Sequence, residues 1–198
     1  MGQRARVTSL FDVQINGFAG VDFHDPRVAA DDVARAVRAL AAHQTLRFFV
    51  TFVTDGREAL LEKIRHFEEI RAADAPVGEA VCGYHLEGPW LSAVAGYRGA
   101  HDPAKMRPPD TRELEAMQAA AHGNIRLVTL APELEGSVEL IRAARSMGIH
   151  ISLGHTDANV EQIDRAIAAG AEFCTHLGNA VPLQMARHDN VVQRLLAR

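Results

Sequence analysis

The chain alternates short apolar runs with longer amphipathic segments, and this alternation limits the folds it can adopt. Strands that alternate with helices predict a parallel sheet covered by helices, because a parallel connection needs a crossover segment. Each apolar run is of strand length and rich in β-branched or aromatic residues. These predicted strands are Phe11–Ile15, Arg47–Val53, Val81–Leu86, Ile125–Leu130, His150–Leu153 and Phe173–Thr175.

The segments between these runs repeat apolar residues at helical spacing. Gly148 and Gly170 fall just after two of them, where a left-handed residue commonly ends a helix. The final segment, Asn190–Arg198, reads as the beginning of a further helix. The predicted helices are Asp31–Ala42, Glu58–Ala72, Thr111–Ala121, Ser137–Ser146 and Val160–Ala169.

Two architectures fit this order, a doubly wound open sheet and a (β/α)₈ barrel. The first strand lacks the Gly-x-Gly-x-x-Gly turn of dinucleotide-binding sheets, which weakens the first alternative. Polar residues follow several strands, as in barrel enzymes. A complete barrel needs eight units and about 250 residues, whereas this chain has 198 residues. We therefore predict an α/β fold, an incomplete (β/α)₈ TIM barrel with about six of the eight strand–helix units. The polar residues at strand ends are Gln14, Asn16, Glu87, His155 and His176.

Composition and charge exclude several classes of protein. With 47% hydrophobic and 23% charged residues, the chain has a globular composition. The formal net charge of −4 gives no electrostatic reason to expect nucleic acid or an anionic membrane as partner. No apolar run is long enough to span a bilayer, and the N-terminus lacks a signal-peptide pattern. Cys82 and Cys174 lie in apolar strand-like segments, so we expect buried, reduced thiols and a cytoplasmic location.

Three residues at the ends of different strands have the chemistry of metal ligands. Each has an ordinary structural explanation when taken alone: Glu87 as a solvated loop residue, and His155 and His176 as hydrogen-bonded core residues. In a barrel, however, the carboxyl ends of the strands meet at one face. Imidazole nitrogens and a carboxylate oxygen there suit a divalent transition metal, with a position left open for water.

The motifs that contain these residues resemble those of a known family. GYHLEGPWL, GHTDAN and THLGNAV are similar, in that order, to the metal-ligand motifs of N-acetylglucosamine-6-phosphate deacetylases. These enzymes belong to the amidohydrolase superfamily, which uses a metal-containing TIM barrel. FDVQINGFAGVDF, RGAHDP and VTLAPE resemble three further motifs of the family, and the similarity runs from about Phe11 to Arg187.

The resemblance implies roles for particular residues. Glu87, His155 and His176 would bind one divalent metal ion, with zinc favoured and iron, manganese or cobalt as alternatives. The substrate-binding residues implied are Ala100, His101, Asn179, Ala180 and Arg187.

Within that set the resemblance assigns separate parts of the substrate. His101 would lie near the N-acetyl group. Asn179 and Ala180 would approach the phosphate, and Arg187, eight residues after Asn179, would bind it.

Other positions refine the resemblance or depart from it. Gln14 and Asn16 stand where many amidohydrolases have a His-x-His pair, so the chain resembles the single-metal members. We interpret His85 as a residue beneath the metal ligands or in the core. The family has an aromatic residue at Gly178 and Met at Val181. The family has His-Asn-Pro where this chain has His-Asp-Pro, with Asp102 in the middle. After Arg187 the family has Glu-Pro-Gly, whereas this chain has His-Asp-Asn. These departures affect the expected substrate contacts more than metal binding.

The resemblance also implies that residues 1–198 are a partial barrel domain, without the family's small β-domain and last strands. The family's general-base Asp has no matching motif here, so the catalytic residue stays unassigned and we expect this segment alone to be inactive. The implied activity is deacetylation of N-acetylglucosamine 6-phosphate to glucosamine 6-phosphate and acetate. The alternatives are a non-catalytic metal-binding remnant and another amidohydrolase that acts on a cyclic amide. The expected partner is a phosphorylated amino sugar, with a homo-oligomer as in the family, and neither nucleic acid nor membrane.

Overall fold

The computed structural model describes residues 9–198, which form short and long strands connected mainly by helices. The strands are β1 (Leu10–Ile15), β2 (Gly17–Phe18), β3 (Val21–Asp22), β4 (Thr45–Val53), β5 (Val81–Glu87), β6 (Ile125–Leu130), β7 (His150–Leu153) and β8 (Phe173–Cys174). The helices are α1 (Ala30–Ala42), α2 (Arg57–Ala73), α3 (Ala75–Ala80), α4 (Thr111–Ala120), α5 (Ser137–Ser146), α6 (Val160–Ala169) and α7 (Val191–Leu196), with a 3₁₀ turn at Pro103–Lys105.

Six strands form one parallel sheet in the order β1-β4-β5-β6-β7-β8. The sheet is curled: Gln14 Nε2 on β1 lies 3.2 Å from Nε2 of His176, which lies just past β8 at the other edge of the sheet. The predicted fold class is therefore confirmed: the chain is an α/β half-barrel, an incomplete TIM barrel. Strand boundaries at β6 and β7, and helix boundaries at α5 and α6, match the predicted ones.

A short hairpin, a six-residue helix and the 3₁₀ turn were not predicted from the sequence. β2 and β3 form an antiparallel hairpin of two-residue strands, too short to show any periodicity. The six-residue helix α3 contains Pro76 and Gly78, which disfavour a helix prediction, but Asp74 caps it by accepting a hydrogen bond from the Val77 N–H at 3.0 Å.

An aromatic cluster packs the sheet against α2. Phe52 and Tyr84 lie on neighbouring strands with ring centroids 5.6 Å apart, and each lies 6.2 Å from Phe67 of α2. Phe23 joins this cluster at 5.4 Å from Phe67. All four side chains are at most 1% exposed. The cluster packs β4 and β5, the strand that ends at Glu87, against the helical layer.

One buried carboxylate, Glu68, lies beside this cluster. It accepts hydrogen bonds from Tyr84 Oη at 2.6 Å, from Arg71 at 2.8 and 2.7 Å, and from Asn124 Nδ2 at 3.1 Å. Burial raises the pKa of Glu68, but the hydrogen bonds from Arg71 and Tyr84 outweigh it and hold the pKa below its ordinary value of 4.5. The network ties α2 to β5 and to the turn before β6.

The edge strands differ from the centre of the sheet. On β1 the apolar side chains Leu10, Phe11 and Val13 are half exposed, and so is Phe173 on β8. The expectation of two buried cysteines is wrong: Cys174 is exposed because it lies on the edge strand β8, and Cys82 is only partly buried. Within residues 9–198, no helix has the length and apolar character needed to cross a bilayer.

The Glu68 network predicts a pH-dependent loss of stability in Tyr84→Phe. The change removes a donor to a buried carboxylate, which should lower the free energy of unfolding by about 1–3 kcal/mol at pH 7. Because the folded-state pKa is depressed, ionised Glu68 stabilises the fold above about pH 4.5. That contribution is lost as the pH falls through the folded-state pKa. Urea unfolding at several pH values should show the difference from wild type narrowing in acid.

Tyr97→Phe is the matched control, since Tyr97 is only partly buried. It should change the unfolding free energy by less than about 0.5 kcal/mol. An equal loss in both variants, or a loss in Tyr84→Phe that does not vary with pH, would contradict the role given to Glu68.

Candidate metal centre

The carboxyl ends of three strands bring Glu87, His155 and His176 together. Glu87 is the last residue of β5, and each histidine lies two residues beyond the end of its strand, β7 or β8. Glu87 Oε1 lies 2.9 Å from His155 Nε2 and 2.7 Å from His176 Nε2. One potential ligand atom from each residue lies within 4.8 Å of the others. The predicted convergence is therefore present in the structure, while the role of the residues as ligands stays a prediction.

Both histidines have unusual backbone conformations. The φ angles of His155 and His176 are 51° and 53°, in the left-handed region that residues other than glycine rarely adopt. The carbonyl of His155 accepts a hydrogen bond from Ser92 N–H at 3.0 Å, and that of His176 accepts one from Asn179 N–H at 2.6 Å. Strained residues of this kind concentrate at functional sites, where surrounding contacts hold them.

The two ring nitrogens of His155 both face oxygen atoms. Nδ1 lies 3.0 Å from the carbonyl oxygen of Tyr97, and Nε2 faces Glu87. A neutral imidazole has one N–H and can donate to only one of these acceptors. With Nδ1–H donating to Tyr97, Nε2 keeps a lone pair directed at the carboxylate, and a cation between the two would satisfy both. This is the usual arrangement of a metal-binding histidine.

The surroundings of Glu87 favour its ionised form. Burial raises the pKa of Glu87, but the nearby imidazoles of His101, His155 and His176 outweigh burial and hold the pKa well below its usual range. The second carboxylate oxygen, Oε2, accepts a hydrogen bond from Gln14 Nε2 at 2.8 Å. Gln14 thus acts as a donor to Glu87, which leaves Oε1 directed at the two histidines.

The three residues fit a divalent ion. At ligand distances of about 2.0–2.1 Å, tetrahedral ligand atoms are separated by about 3.3 Å. The observed separations of 2.7 and 2.9 Å need only a small expansion to reach that value. The side chains of Glu87 and His155 are each 4% exposed, whereas that of His176 is 32% exposed. The open side of the centre therefore lies next to His176.

A cleft of about 400 Å³ lies over the centre. His101 is positioned there by its Nδ1, 2.9 Å from Thr54 Oγ1, and its Nε2 lies 3.8 Å from Glu87 Oε1. Four of the five predicted substrate residues line this cleft: Ala100, His101, Asn179 and Ala180.

The fifth, Arg187, does not line the cleft. It lies in an exposed segment before α7, and its carbonyl oxygen accepts a hydrogen bond from Gln193 Nε2 at 2.7 Å. Asn16 does line the cleft, and its amide lies 3.4 Å from the carbonyl oxygen of Thr51. The structure thus brings the metal side of the predicted site together but leaves the predicted phosphate ligand apart.

Several supporting residues were missed by sequence reasoning. Glu133 accepts hydrogen bonds from the hydroxyl of Thr156 and from the Asp157 N–H, the latter at 2.9 Å, and so fixes the loop after His155. Asn159 then caps α6 in a capping box with Gln162. Glu133 is the last residue of the VTLAPE motif, so a signal for it is present in the sequence, whereas the backbone carbonyl of Tyr97 has no such signature.

Comparison with known proteins decides the family. The sequence pattern of the Amidohydrolase family matches residues 9–195. The chain belongs to the amidohydrolase family. N-acetylglucosamine-6-phosphate deacetylase of Bos taurus is 40% identical to this amidohydrolase over 176 residues, which cover 86% of the chain and 41% of the relative. The Bacillus subtilis protein of that name is 33% identical over 190 residues, 95% of the chain and 47% of the relative.

A solved structure agrees with these relatives. N-acetyl-D-glucosamine-6-phosphate deacetylase from Mycobacterium smegmatis, in complex with N-acetyl-D-glucosamine-6-phosphate, matches with a TM-score of 0.85 and 34% identity. The match covers 97% of the amidohydrolase chain and 48% of the Mycobacterium protein. The predicted resemblance is confirmed, and the chain spans less than half the length of the relatives named above.

The first prediction for this centre concerns metal content. Elemental analysis of folded protein should find about one divalent ion per chain, and His155→Ala and His176→Ala should each lose it because each removes a nitrogen ligand. His150→Ala is the control, since His150 is half exposed on the surface and contacts Glu172. Equal metal content in wild type and both site variants would rule out these ligands.

A second prediction concerns the space beside His155. A Cβ at Gly99 would lie 3.0 Å from His155 Cε1 and 3.3 Å from Nδ1, so Gly99→Ala should displace the ring and weaken metal binding. Gly123→Ala is the matched control, because Gly123 also has a positive φ, 80°, but has no atom within 4 Å of the added carbon. Metal titration should show weaker binding for Gly99→Ala alone. Equal metal affinity in the two variants would contradict the crowding argument.

Proposed function

We propose that this amidohydrolase chain provides the metal-binding part of a deacetylase that hydrolyses N-acetylglucosamine 6-phosphate to glucosamine 6-phosphate and acetate. The observation that carries the proposal is the convergence of Glu87, His155 and His176 beneath a cleft. Support comes from relatives whose names state this activity. We further propose zinc as the ion, a cytoplasmic location and a homo-oligomeric assembly.

The residues of the centre divide the work of amide hydrolysis. A divalent ion held by Glu87, His155 and His176 would supply a Lewis acid that polarises the acetyl carbonyl and activates water. Tyr97 holds the tautomer of His155, and Gln14 holds the orientation of Glu87. These contacts keep the ligand atoms in place before the substrate arrives.

The residues of the cleft would orient the substrate. His101 lies between Thr54 and the centre, and in the tautomer that carries its proton on Nε2 it can donate a hydrogen bond to an acetyl oxygen on which negative charge develops. Asn179 and Ala180, a few residues past His176 in the chain, also line the cleft and would approach the phosphate. Arg187 is the proposed cation for the phosphate and would have to move towards the cleft to reach it.

The proton transfer to the leaving amine needs a carboxylate or a similar group. Of the cleft-lining residues in the described range, Glu87 is the one carboxylate, and it is already bonded to His155, His176 and Gln14. Asp157 contacts Arg194 at 3.4 Å and is not among the lining residues. We therefore assign no general base to residues 9–198.

Calorimetry on metal-loaded protein tests the substrate. N-acetylglucosamine 6-phosphate should bind more tightly than N-acetylglucosamine, by roughly 1.5–3 kcal/mol for a charge-assisted phosphate contact. Arg187→Ala should remove that preference, whereas Arg142→Ala, at an exposed position on α5, should retain it.

Other outcomes identify the alternatives. Equal binding of the two sugars would defeat the phosphate assignment, and a preference that persists in Arg187→Ala would place the phosphate contact elsewhere. Protein that binds metal but neither sugar would favour a non-catalytic metal-binding module.

A further inference from the structure

His176 depends on a short edge strand for its position. β8 pairs with β7 at only two residues, Phe173 and Cys174, and both are exposed. His176 follows two residues later with a φ of 53°, which a residue other than glycine keeps only when its surroundings hold it. Contacts beyond the strand pairing must therefore hold this part of the backbone.

Thr175 makes those contacts. Its N–H donates to the carbonyl oxygen of Leu153 at 2.8 Å. Its Oγ1 lies 2.8 Å from Thr129 Oγ1 on β6 and 2.5 Å from Ser152 Oγ on β7. The residues Thr129 and Ser152 are at most 2% exposed. The residue before His176 is thus bonded to two strands inside the half-barrel, one of which is not its neighbour in the sheet.

The hydroxyl contacts continue beneath Glu87. Thr129 Oγ1 lies 2.7 Å from His85 Nε2, and His85 Nδ1 lies 3.3 Å from Thr51 Oγ1. Each hydroxyl can donate one hydrogen bond and accept another. All the hydrogen bonds of this row of side chains can therefore form together, with every donor pointing the same way along the row. Branched apolar side chains usually fill this part of a barrel. A polar row in their place costs stability unless every member is paired.

We infer that Thr175 is a positioning residue for His176, held by the hydroxyls of Thr129 and Ser152. The inference rests on the proposed metal centre. The buried hydroxyls transmit the position of the central strands to the edge of the sheet, and His176 Nε2 stays 2.7 Å from Glu87 Oε1 as a result.

The test is cobalt binding by the full chain, because the visible absorption of bound Co²⁺ reports the geometry of its ligands. Thr175→Val keeps the size and branching of the side chain but removes the hydroxyl. It should weaken Co²⁺ binding about 10–100-fold, the usual effect of losing a contact that orients a ligand, and change the spectrum. Thr175→Ser keeps the hydroxyl and should restore both.

Two more variants separate positioning from general stability. Ile151→Val trims the buried core of β7 next to Ser152, so it lowers stability without touching a hydroxyl. It should leave the Co²⁺ affinity and spectrum unchanged. Ser152→Ala removes one of the two contacts to Thr175 and should give a smaller loss of affinity than Thr175→Val. This milder change keeps the test decisive if Thr175→Val fails to fold.

Two results would overturn the inference alone while wild type still binds Co²⁺. One is that Thr175→Val binds Co²⁺ with the affinity and spectrum of wild type. If Thr175→Val does not fold, the same result in Ser152→Ala counts instead. The other is a loss of Co²⁺ affinity in Ile151→Val equal to that in Thr175→Val, with both variants having the same melting temperature. Wild-type protein that binds no Co²⁺ would overturn the metal centre together with the inference. Failure of sugar binding with normal Co²⁺ results would affect the proposed substrate only.

Discussion

The carboxylate of Glu87 is the group on which the rest of the structure depends. Its side chain is 4% exposed, and an ionised group buried to that extent costs several kcal/mol unless charged or hydrogen-bonded partners compensate. Gln14 on β1 donates a hydrogen bond to this carboxylate, and the ring nitrogens of His155 after β7 and His176 after β8 face it and would share a cation with it. These partners lie on separate parts of the sheet, including both edge strands. They can all reach one carboxylate only if the sheet curls.

Contacts around the centre extend this requirement to the loops. The loop between β5 and α4 places His101 over the site, and it is tied to the end of β4 at three points. His101 bonds to Thr54, Lys105 contacts Asp55 Oδ1 at 2.5 Å, and Arg107 donates to the Asp55 carbonyl at 2.8 Å. Hydrogen bonds from Lys105 and Lys63 outweigh burial and lower the pKa of Asp55, so these ion pairs hold at neutral pH. A loop anchored in this way presents His101 at a fixed distance from Glu87.

The sequence predicted those features that follow from periodicity and from the geometry of parallel strands. Apolar runs located β6 and β7, and the rule that carboxyl ends meet at one face brought Glu87, His155 and His176 together. The sequence does not reveal the contact of the Tyr97 carbonyl, because every residue has a carbonyl group. It does not reveal the contacts of the Thr175 hydroxyl either, because the partners of a hydroxyl depend on how the sheet curls. Cys174 was misjudged because an apolar run does not reveal whether its strand is central or at an edge. The assignment of Arg187 rests on the resemblance to the family and on its spacing from Asn179, and neither determines the path of an exposed segment.

The structure also links metal binding to the shape of the sheet. In the described range, the outer edges of β1 and β8 pair with no further strand. At the carboxyl ends of these two strands, however, Gln14 and His176 are in contact. An ion held by Glu87 and His176 would reinforce that meeting point, because ligands must be brought together to bind it and binding free energy then contributes to folding. The exposed Leu10 and Phe173 lie on the same two strands, nearer their amino ends. A bound ion would therefore stabilise the half-barrel at the end of the sheet where the site is formed.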